Sequence, residues 1–450
     1  LVIGDGTDGS VTIAGGATLN VVSTGIGSSA ITVGTHDGGH GELTIDGAGT
    51  KVTVGSSMSI GAGGTGVVNV TGGASLDVNG MVLNVGDSYQ DPNNSSIYGS
   101  GVLNISGAGT VVTVAANRIR LGYLGGSGEL NVTDGATLNS GISVGNLGTG
   151  VAVIAGAGTT VNGSVTTGFH SLTTIRDGAT VNGNISVNGG IVNVGAAPGE
   201  AATLVHMDGV DALVSNYGVL NLNHTGTIKF SNVNSSFFSN NPILNTLNQI
   251  AGTTILTGSS GALGLVVNIT GGTLQIGDST DASAGLTGSL DAHVIHNDAT
   301  LVLDRADTSG KKLLNFATTV DGSGKLVKQG VGTITLSGNN SYTGGTEINA
   351  GTLVVAADHA LGATSSAVTL NGGTLQVDKG IILTHDLVLG ANGGSVTMGG
   401  NVDVSGALRG TGSFTKLGTG DLTLSGDGTA FSGPTTVSAG TLSVDGSLGT

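Results

Sequence analysis

The sequence predicts an all-β solenoid, a single-stranded parallel β-helix. Two observations carry that reading. A strand-sized phrase recurs every few tens of residues: GELTIDGAGTKVTV from Gly41, GVVNVTGGASLDV from Gly66, GVLNISGAGTVVTV from Gly101, GELNVTDGATLNS from Gly128 and GVAVIAGAGTTVN from Gly150. Recurrence at that period means stacked units that share one elongated core. The second observation is composition: 86 Gly, 4 Pro, no Trp, 7 Phe and 5 Tyr, with the apolar content carried by Val, Leu, Ile and Ala. Val, Ile and Thr suit a pleated surface, and Gly and Asn suit turns that need positive φ. Strong helix formers are scarce, with Lys and Arg together numbering 13, so little or no helix is expected. Disorder is rejected because β-branched residues recur in alternation, which unfolded low-complexity chains lack.

The phrase at Gly101 shows how one coil is built. Leu103 and Ile105 alternate with Val102, Asn104 and Ser106, so a strand puts Leu103 and Ile105 on one face. GAGT then turns the chain, and VVTV supplies a second strand with Val112 and Val114 inward. Strand, turn, strand and Gly-rich turn make one coil, and each strand pairs with its equivalent in the next coil. The outward position before the second aliphatic residue holds Thr44, Asn69, Asn104 and Asn131 in successive units. Stacking at about 4.8 Å aligns them as a polar ladder.

The phrase starts are separated by 25, 35, 27 and 22 residues. The long interval holds DSYQDPNNSSIYGS, residues 87–100, with Tyr89, Asp91, Pro92 and Tyr98. Surplus residues in one repeat map to a loop leaving the coil, often on a binding face. Regularity fades after about Gly195, where Tyr217, Phe230, Phe237, Phe238 and Pro242 appear. VLNLN at Val219 and TIKF at Thr227 read as strands, residues 231–248 as an irregular excursion, and the coil resumes near Thr253. The expected organisation is regular repeats over 1–195, an irregular region with a projecting loop over 196–252, and a second helical stretch over 253–450.

A longer phrase then appears twice. GSGKLVKQGVGTITLSGNNSYTGGTEINAGTLVV starts at Gly322, and GTGSFTKLGTGDLTLSGDGTAFSGPTTVSAGTLSV at Gly410. Lys328, Gly330, Gly332, Leu336, Ser337 and Gly338 match Lys416, Gly418, Gly420, Leu424, Ser425 and Gly426 at a spacing of 88. After a one-residue shift Tyr342 matches Phe431, and Gly351-Thr352-Leu353 matches Gly440-Thr441-Leu442.

This pattern, G-x-L-x-K-x-G-x-G-x-x-x-L-S-G, then Y/F-[TS]-G, then GTL, resembles the passenger-associated transport repeat of Gram-negative type V autotransporters. The earlier phrase, preceded by LGYLGGSG or VGNLGTG, is similar to repeats of large autotransporter adhesins. The two resemblances cover roughly 41–190 and 322–444. They imply a right-handed β-helix passenger, exported through its own C-terminal outer-membrane barrel and displayed at the cell surface. No alternating barrel strands or aromatic girdle are visible before Thr450, and residue 1 opens no signal peptide, so a passenger fragment internal to a longer protein is expected.

Other chemistries were weighed. The net charge of −16, from 29 acids against 13 bases, leaves no basic stripe for nucleic acid and disfavours an anionic membrane. No run of about 18 apolar residues marks a spanning helix, so no membrane insertion is expected. There is no Cys, so neither disulfides nor thiolate metal sites arise. Asp5, Asp8, Asp46, Asp87, Asp278 and Asp321 read as turn residues, and Asp304-Arg305-Ala306-Asp307 as a solvated turn ending a strand. His36-Asp37-Gly38-Gly39-His40 reads as an exposed turn before a metal site, and no cofactor is expected. Tyr342 and Phe431 hold equivalent repeat positions and read as structural. Tyr89, Asp91, Tyr98, Phe237 and Phe238 are the candidate binding residues, because exposed aromatics on loops carry disproportionate binding energy. The leading reading is an adhesin that attaches to a host cell-surface or extracellular-matrix component. A scaffold making homotypic contacts for autoaggregation is the alternative, and a polysaccharide-cleaving enzyme the second.

Overall fold

The computed structural model describes residues 1–22, 29–90, 95–116, 118–207, 210–215, 217–236, 245–260, 264–280, 289–306, 314–377 and 380–449. Among them the fold is all-β, with one four-residue 3-10 turn at Asp358–Leu361 and no α-helix. The chain divides into two compact units. The first is Leu1–Ile228 with Ser236–Thr246, and the second is Lys229–Ser235 with Leu247–Thr450.

In the first unit the repeated phrases lie on one another in register. Gly101 pairs with Gly66 on one side and Gly128 on the other, and Gly128 pairs with Gly150, all parallel. Leu43, Val68, Leu103, Leu130 and Ala152 therefore form one internal column, and Ile45, Val70, Ile105, Val132 and Ile154 a second, all without solvent exposure. Burying a side chain of this kind stabilises by about 1.5–3 kcal/mol, so each coil is held mainly by its neighbours. The glycine that opens each phrase has a steric reason. A Cβ on Gly101 would sit 2.4 Å from the Ile60 carbonyl oxygen of the preceding coil.

The GAGT turn is explained by its threonine. Thr110 is fully buried. Its hydroxyl donates to the Ser106 carbonyl (2.9 Å) and accepts from the Gly73 amide of the preceding coil (2.9 Å). Thr50 and Thr159 repeat both bonds, with Asp46 and Gly16 and with Ala155 and Gly135. One side chain thus satisfies a strand end and ties two coils together.

The coil has three strands where the phrase predicted two. After Ser100–Ser106 and Val111–Val114 comes Ile119–Leu121, which pairs with Leu83–Gln90 and with Ile142–Val144. Three residues with two inward aliphatics are too short for alternation to register against a Gly-rich background.

The polar ladder forms over Asn69, Asn104 and Asn131, but its first rung is Glu42 in place of the expected Thr44. Asn104 Nδ2 donates to Asn69 Oδ1 (2.8 Å), Asn131 Nδ2 to Asn104 Oδ1 (3.0 Å), and Asn69 Nδ2 to Glu42 Oε1 (3.2 Å). Asn104→Ala removes two of these links at a half-buried position. A loss of about 0.5–1.5 kcal/mol is expected, read as a lower urea midpoint; an unchanged midpoint would mean that water replaces the ladder at no cost.

The second unit repeats the parallel stacking. Thr300–Asp304, Lys325–Gln329 and Thr346–Ile348 pair in series, as do Thr333–Leu336, Thr352–Val355 and Thr374–Val377. Here the two long phrases bury a lysine each. Lys328 Nζ donates to the carbonyls of Gln329 (2.6 Å), Gly330 (2.7 Å) and Ala350 (3.0 Å). Lys416 Nζ donates to Leu417 (3.4 Å), Gly418 (2.9 Å) and Ala439 (2.9 Å). Ala350 and Ala439 follow the neighbouring strand in the stack, so each ammonium clamps one coil to the next. The glycine of GTL makes room for the clamp: a Cβ on Gly440, at φ 68°, would lie 2.6 Å from Lys416 Nζ.

Three expectations change. Asp304 does end a strand, but neither it nor Arg305 is solvated: both are buried. Asp304 Oδ2 accepts from Gln275 Nε2 (3.2 Å) and the Ser279 amide (3.1 Å). Asp278 is buried as well, paired with Lys229 at 2.8 Å. The third change concerns 231–248, where strands run through Ser236 (Val219–Ser236) and again from Asn245 (Asn245–Leu256) in place of an excursion leaving at Ser231. Phe230 in the first of these is buried core.

Candidate binding edge

The surplus residues at 87–100 leave the coil as a β-hairpin. Leu83–Gln90 runs out, Ser96–Tyr98 returns antiparallel, and Tyr89 pairs with Ile97. Asp91 lies outside the described residues, as do Phe237 and Phe238. The hairpin brings its two tyrosines to the same corner of the unit. Tyr89 is half-buried and meets the His36 ring edge-on, centroids 4.4 Å apart, while Tyr98 is 64% exposed and lies over Gly125. His36 itself is bound to the Asp5 carboxylate, so the HDGGH turn is built into the same corner. Among the described residues no group of three or more His, Asp or Glu could hold a metal ion.

That corner is the turn between the third strand of a coil and the long strand of the next. Register stacks 34–39, 61–64, 86–99, 122–126, 145–148, 168–171, 188–190 and 215–218 there. Every Phe and Tyr of residues 1–228 falls in this one column: Tyr89, Tyr98, Tyr123, Phe169 and Tyr217. Leu124 and Leu147 stand among them, and Leu147, Phe169 and Tyr217 are 76%, 49% and 60% exposed. Arg120 lies over the Tyr123 ring at 4.6 Å, a cation–π contact that fixes that ring.

The backbone at the corner is costly. Seven described non-glycine residues have positive φ, and five of them, His36, Leu124, Leu147, His170 and Tyr217, are on this edge. A bulky residue held there costs about 1–3 kcal/mol and persists where the surroundings impose it. Glycine would hold the same turn without strain. At the hairpin root burial raises the Asp87 carboxyl above its usual range, opposed by the Asn84 amide (2.7 Å) and Arg120.

Of the sequence candidates, then, Tyr89 and Tyr98 converge on one edge. Tyr123, Leu147, Phe169, His170 and Tyr217 join them without having been singled out as binding residues. A signal was present: each stands just before the strand that opens the next phrase, where a turn must lie. Single aromatics scattered over 228 residues do not suggest a column until the register is known.

Comparison with known proteins bears on the second unit first. The family described as Passenger-associated-transport-repeat matches residues 326–355 and 414–444, the stretches that hold the two lysine clamps. The "Adhesin BmaC autotransporter" of Brucella suis biovar 1 (strain 1330) is 32% identical over 185 residues, which is 41% of this chain and 5% of that protein. The match therefore spans about 5% of the relative's length. The two transport repeats and this shared stretch support a type V autotransporter passenger, and the parallel coils are consistent with it.

Proposed function

We propose that the chain is the displayed shaft of an adhesin, held at the cell surface by a separate outer-membrane translocator, and that it attaches to a host cell-surface or matrix component. The observation that carries this is the gathering of every Phe and Tyr of residues 1–228 onto one strained edge. Aromatic anchors dominate binding energy where they cluster. Similarity to a protein named as an adhesin supports the same reading. A non-enzymatic role fits the carboxylates, many of which serve turns: Asp46 accepts from Thr71, Asp298 from the Ser323 amide and hydroxyl, and Asp427 from Thr429 and Ser447.

The test is attachment of the purified 450-residue chain to cultured host cells and matrix-coated surfaces, against Tyr98→Ala/Phe169→Ala/Tyr217→Ala. All three side chains are exposed, so the melting temperature should hold while attachment falls at least tenfold, equal to about 1.4 kcal/mol. Full attachment by the triple variant would remove the edge from the account. Binding of the chain only to itself would favour the autoaggregating scaffold.

A further inference from the structure

We propose that the groove between Leu147 and Phe169 is a saccharide subsite that takes uncharged pyranose units of a glycan chain. The proposal rests on reading this edge as the adhesive surface and names the ligand class for it. The groove is open on one side and has a volume of about 640 Å3. Known small-ligand sites occupy about 300–1,000 Å3. It is lined by Asn146, Leu147, Thr166, Phe169, His170 and Asn188, contributed by three successive coils. Coils stack at about 4.8 Å, so those residues span about 10 Å along the stack, enough for one or two sugar rings.

The chemistry of the lining selects the ligand. A pyranose is amphipathic: one face offers C–H groups, and the rim carries hydroxyls that each donate and accept. The C–H face seeks an aromatic ring, whose face is electron-rich. Phe169 supplies one on a rigid mount: a Cβ on Gly189 would meet ring atoms Cδ1 and Cε1 at 2.4 Å, so the ring rests on the Gly189 backbone. Gly189 has φ 79°, which lets it take that position without a side chain. Phe169 and Leu147 both line the groove. Sugar hydroxyls seek neutral groups that both donate and accept, and the lining offers two amides, three hydroxyls and an imidazole. Asn146 is oriented by its bond to Ser143 Oγ (3.3 Å).

The groove carries no carboxylate, ammonium or guanidinium. A sialylated or sulfated glycan would find no cation there and would meet a chain of net charge −16. A protein partner of ordinary affinity needs about 1,200–2,000 Å2 of buried surface, far more than this groove. Strain marks the same place: Leu147 and His170, both in the lining, hold φ of 69° and 56°.

The test uses the full chain on an array of neutral oligosaccharides built from glucose, galactose, mannose and N-acetylglucosamine, with sialylated and sulfated counterparts. Binding to at least one neutral series is expected. Phe169→Ala should weaken it at least tenfold, Phe169→Trp should retain it, and Thr166→Val should weaken it without changing the melting temperature. Binding confined to anionic glycans, no glycan binding, or binding unaffected by Phe169→Ala would overturn the proposal. Periodate treatment of host cells separates the two readings. If Phe169→Ala abolishes attachment that periodate leaves intact, the edge is adhesive toward protein and the saccharide subsite falls. If neutral glycans bind in a Phe169-dependent way while host cells and matrix are ignored, the subsite stands and the host-attachment reading falls.

Discussion

Lys328→Ala is expected to destabilise the second unit by about 3–5 kcal/mol, the cost of dismantling a buried charged network. The side chain has no solvent exposure, and its ammonium is the donor to three carbonyl oxygens on two coils. Lys328→Met is the sharper variant, because it fills much of the same volume and removes only the donors. The carbonyls of Gln329, Gly330 and Ala350 then lose a charge-assisted partner in a site that water cannot reach, at about 1–3 kcal/mol for a group left unsatisfied. Urea unfolding and limited proteolysis across residues 320–360 would register the loss. A wild-type midpoint in Lys328→Met would show that packing alone holds the turn.

The clamp also sets a pH dependence. Burial lowers the Lys328 ammonium from 10.5 to about 8, against the opposing charge of Asp304. Between those values the unfolded chain holds a proton that the folded chain has released, so this group's contribution to stability rises with pH across the window. Below about 8 both states are protonated and the burial cost is borne in full. Lys328→Met should abolish that rise while leaving other titrations in place. A wild-type midpoint that falls across the window relative to Lys328→Met would contradict this sign.

Tyr342→Ala is expected to cost about 3–5 kcal/mol, as large aromatic truncations in cores do. Tyr342 is fully buried, and its ring packs so closely on Gly362 that a Cβ there would come within 2.8 Å of Cε2. Its hydroxyl bonds Thr346 Oγ1 (2.6 Å), which in turn donates to the Leu361 carbonyl (3.2 Å). Burial pushes the phenol far above its ordinary range, so it stays protonated. The ring and hydroxyl together hold the 3-10 turn Asp358–Leu361 against the coil. Tyr342→Phe should cost only about 1 kcal/mol, because Thr346 keeps its carbonyl partner. Phe431 already performs the apolar half of this task in the second repeat, buried and without a hydroxyl. Equal midpoints for Tyr342→Ala and wild type would sink the staple.

How much of this was legible depended on the length of each signal. Phrases of a dozen residues aligned their own register, and Gly66, Gly101, Gly128 and Gly150 pair as their positions in the phrase dictate. The strand Ile142–Val144 was lost because three residues carry too little alternation to separate from a turn. Asp304 reads as solvated and Asp278 as a plain turn residue because turn context is local, whereas their partners, Gln275 and Lys229, come from other segments. The two lysines were visible as matched letters, yet nothing in a sequence says that an ammonium turns inward to meet carbonyls. The aromatic edge was half legible: a surplus of residues exposed the hairpin with Tyr89 and Tyr98, while Phe169 sits in a coil of ordinary length.

The amide ladder has a consequence for how such a chain can change in length. Its links run one way: Asn131 donates to Asn104, Asn104 to Asn69, and the series ends on the Glu42 carboxylate. A second series repeats the direction, Asn182 to Asn162 to Asn139, ending on the Thr113 hydroxyl. Each coil takes an acceptor from its predecessor and offers an identical one to its successor. Excising residues 101–127 would bring Gly128 onto Gly66 and Asn131 onto Asn69, so the Asn69 amide oxygen would again face an amide donor, while Ala136 in place of Thr110 would leave the Gly73 amide without its hydroxyl acceptor. Coils are thus exchangeable at the amide seam and the aliphatic columns, and recombination between repeats can change their number at the cost of the threonine tie between the coils newly joined.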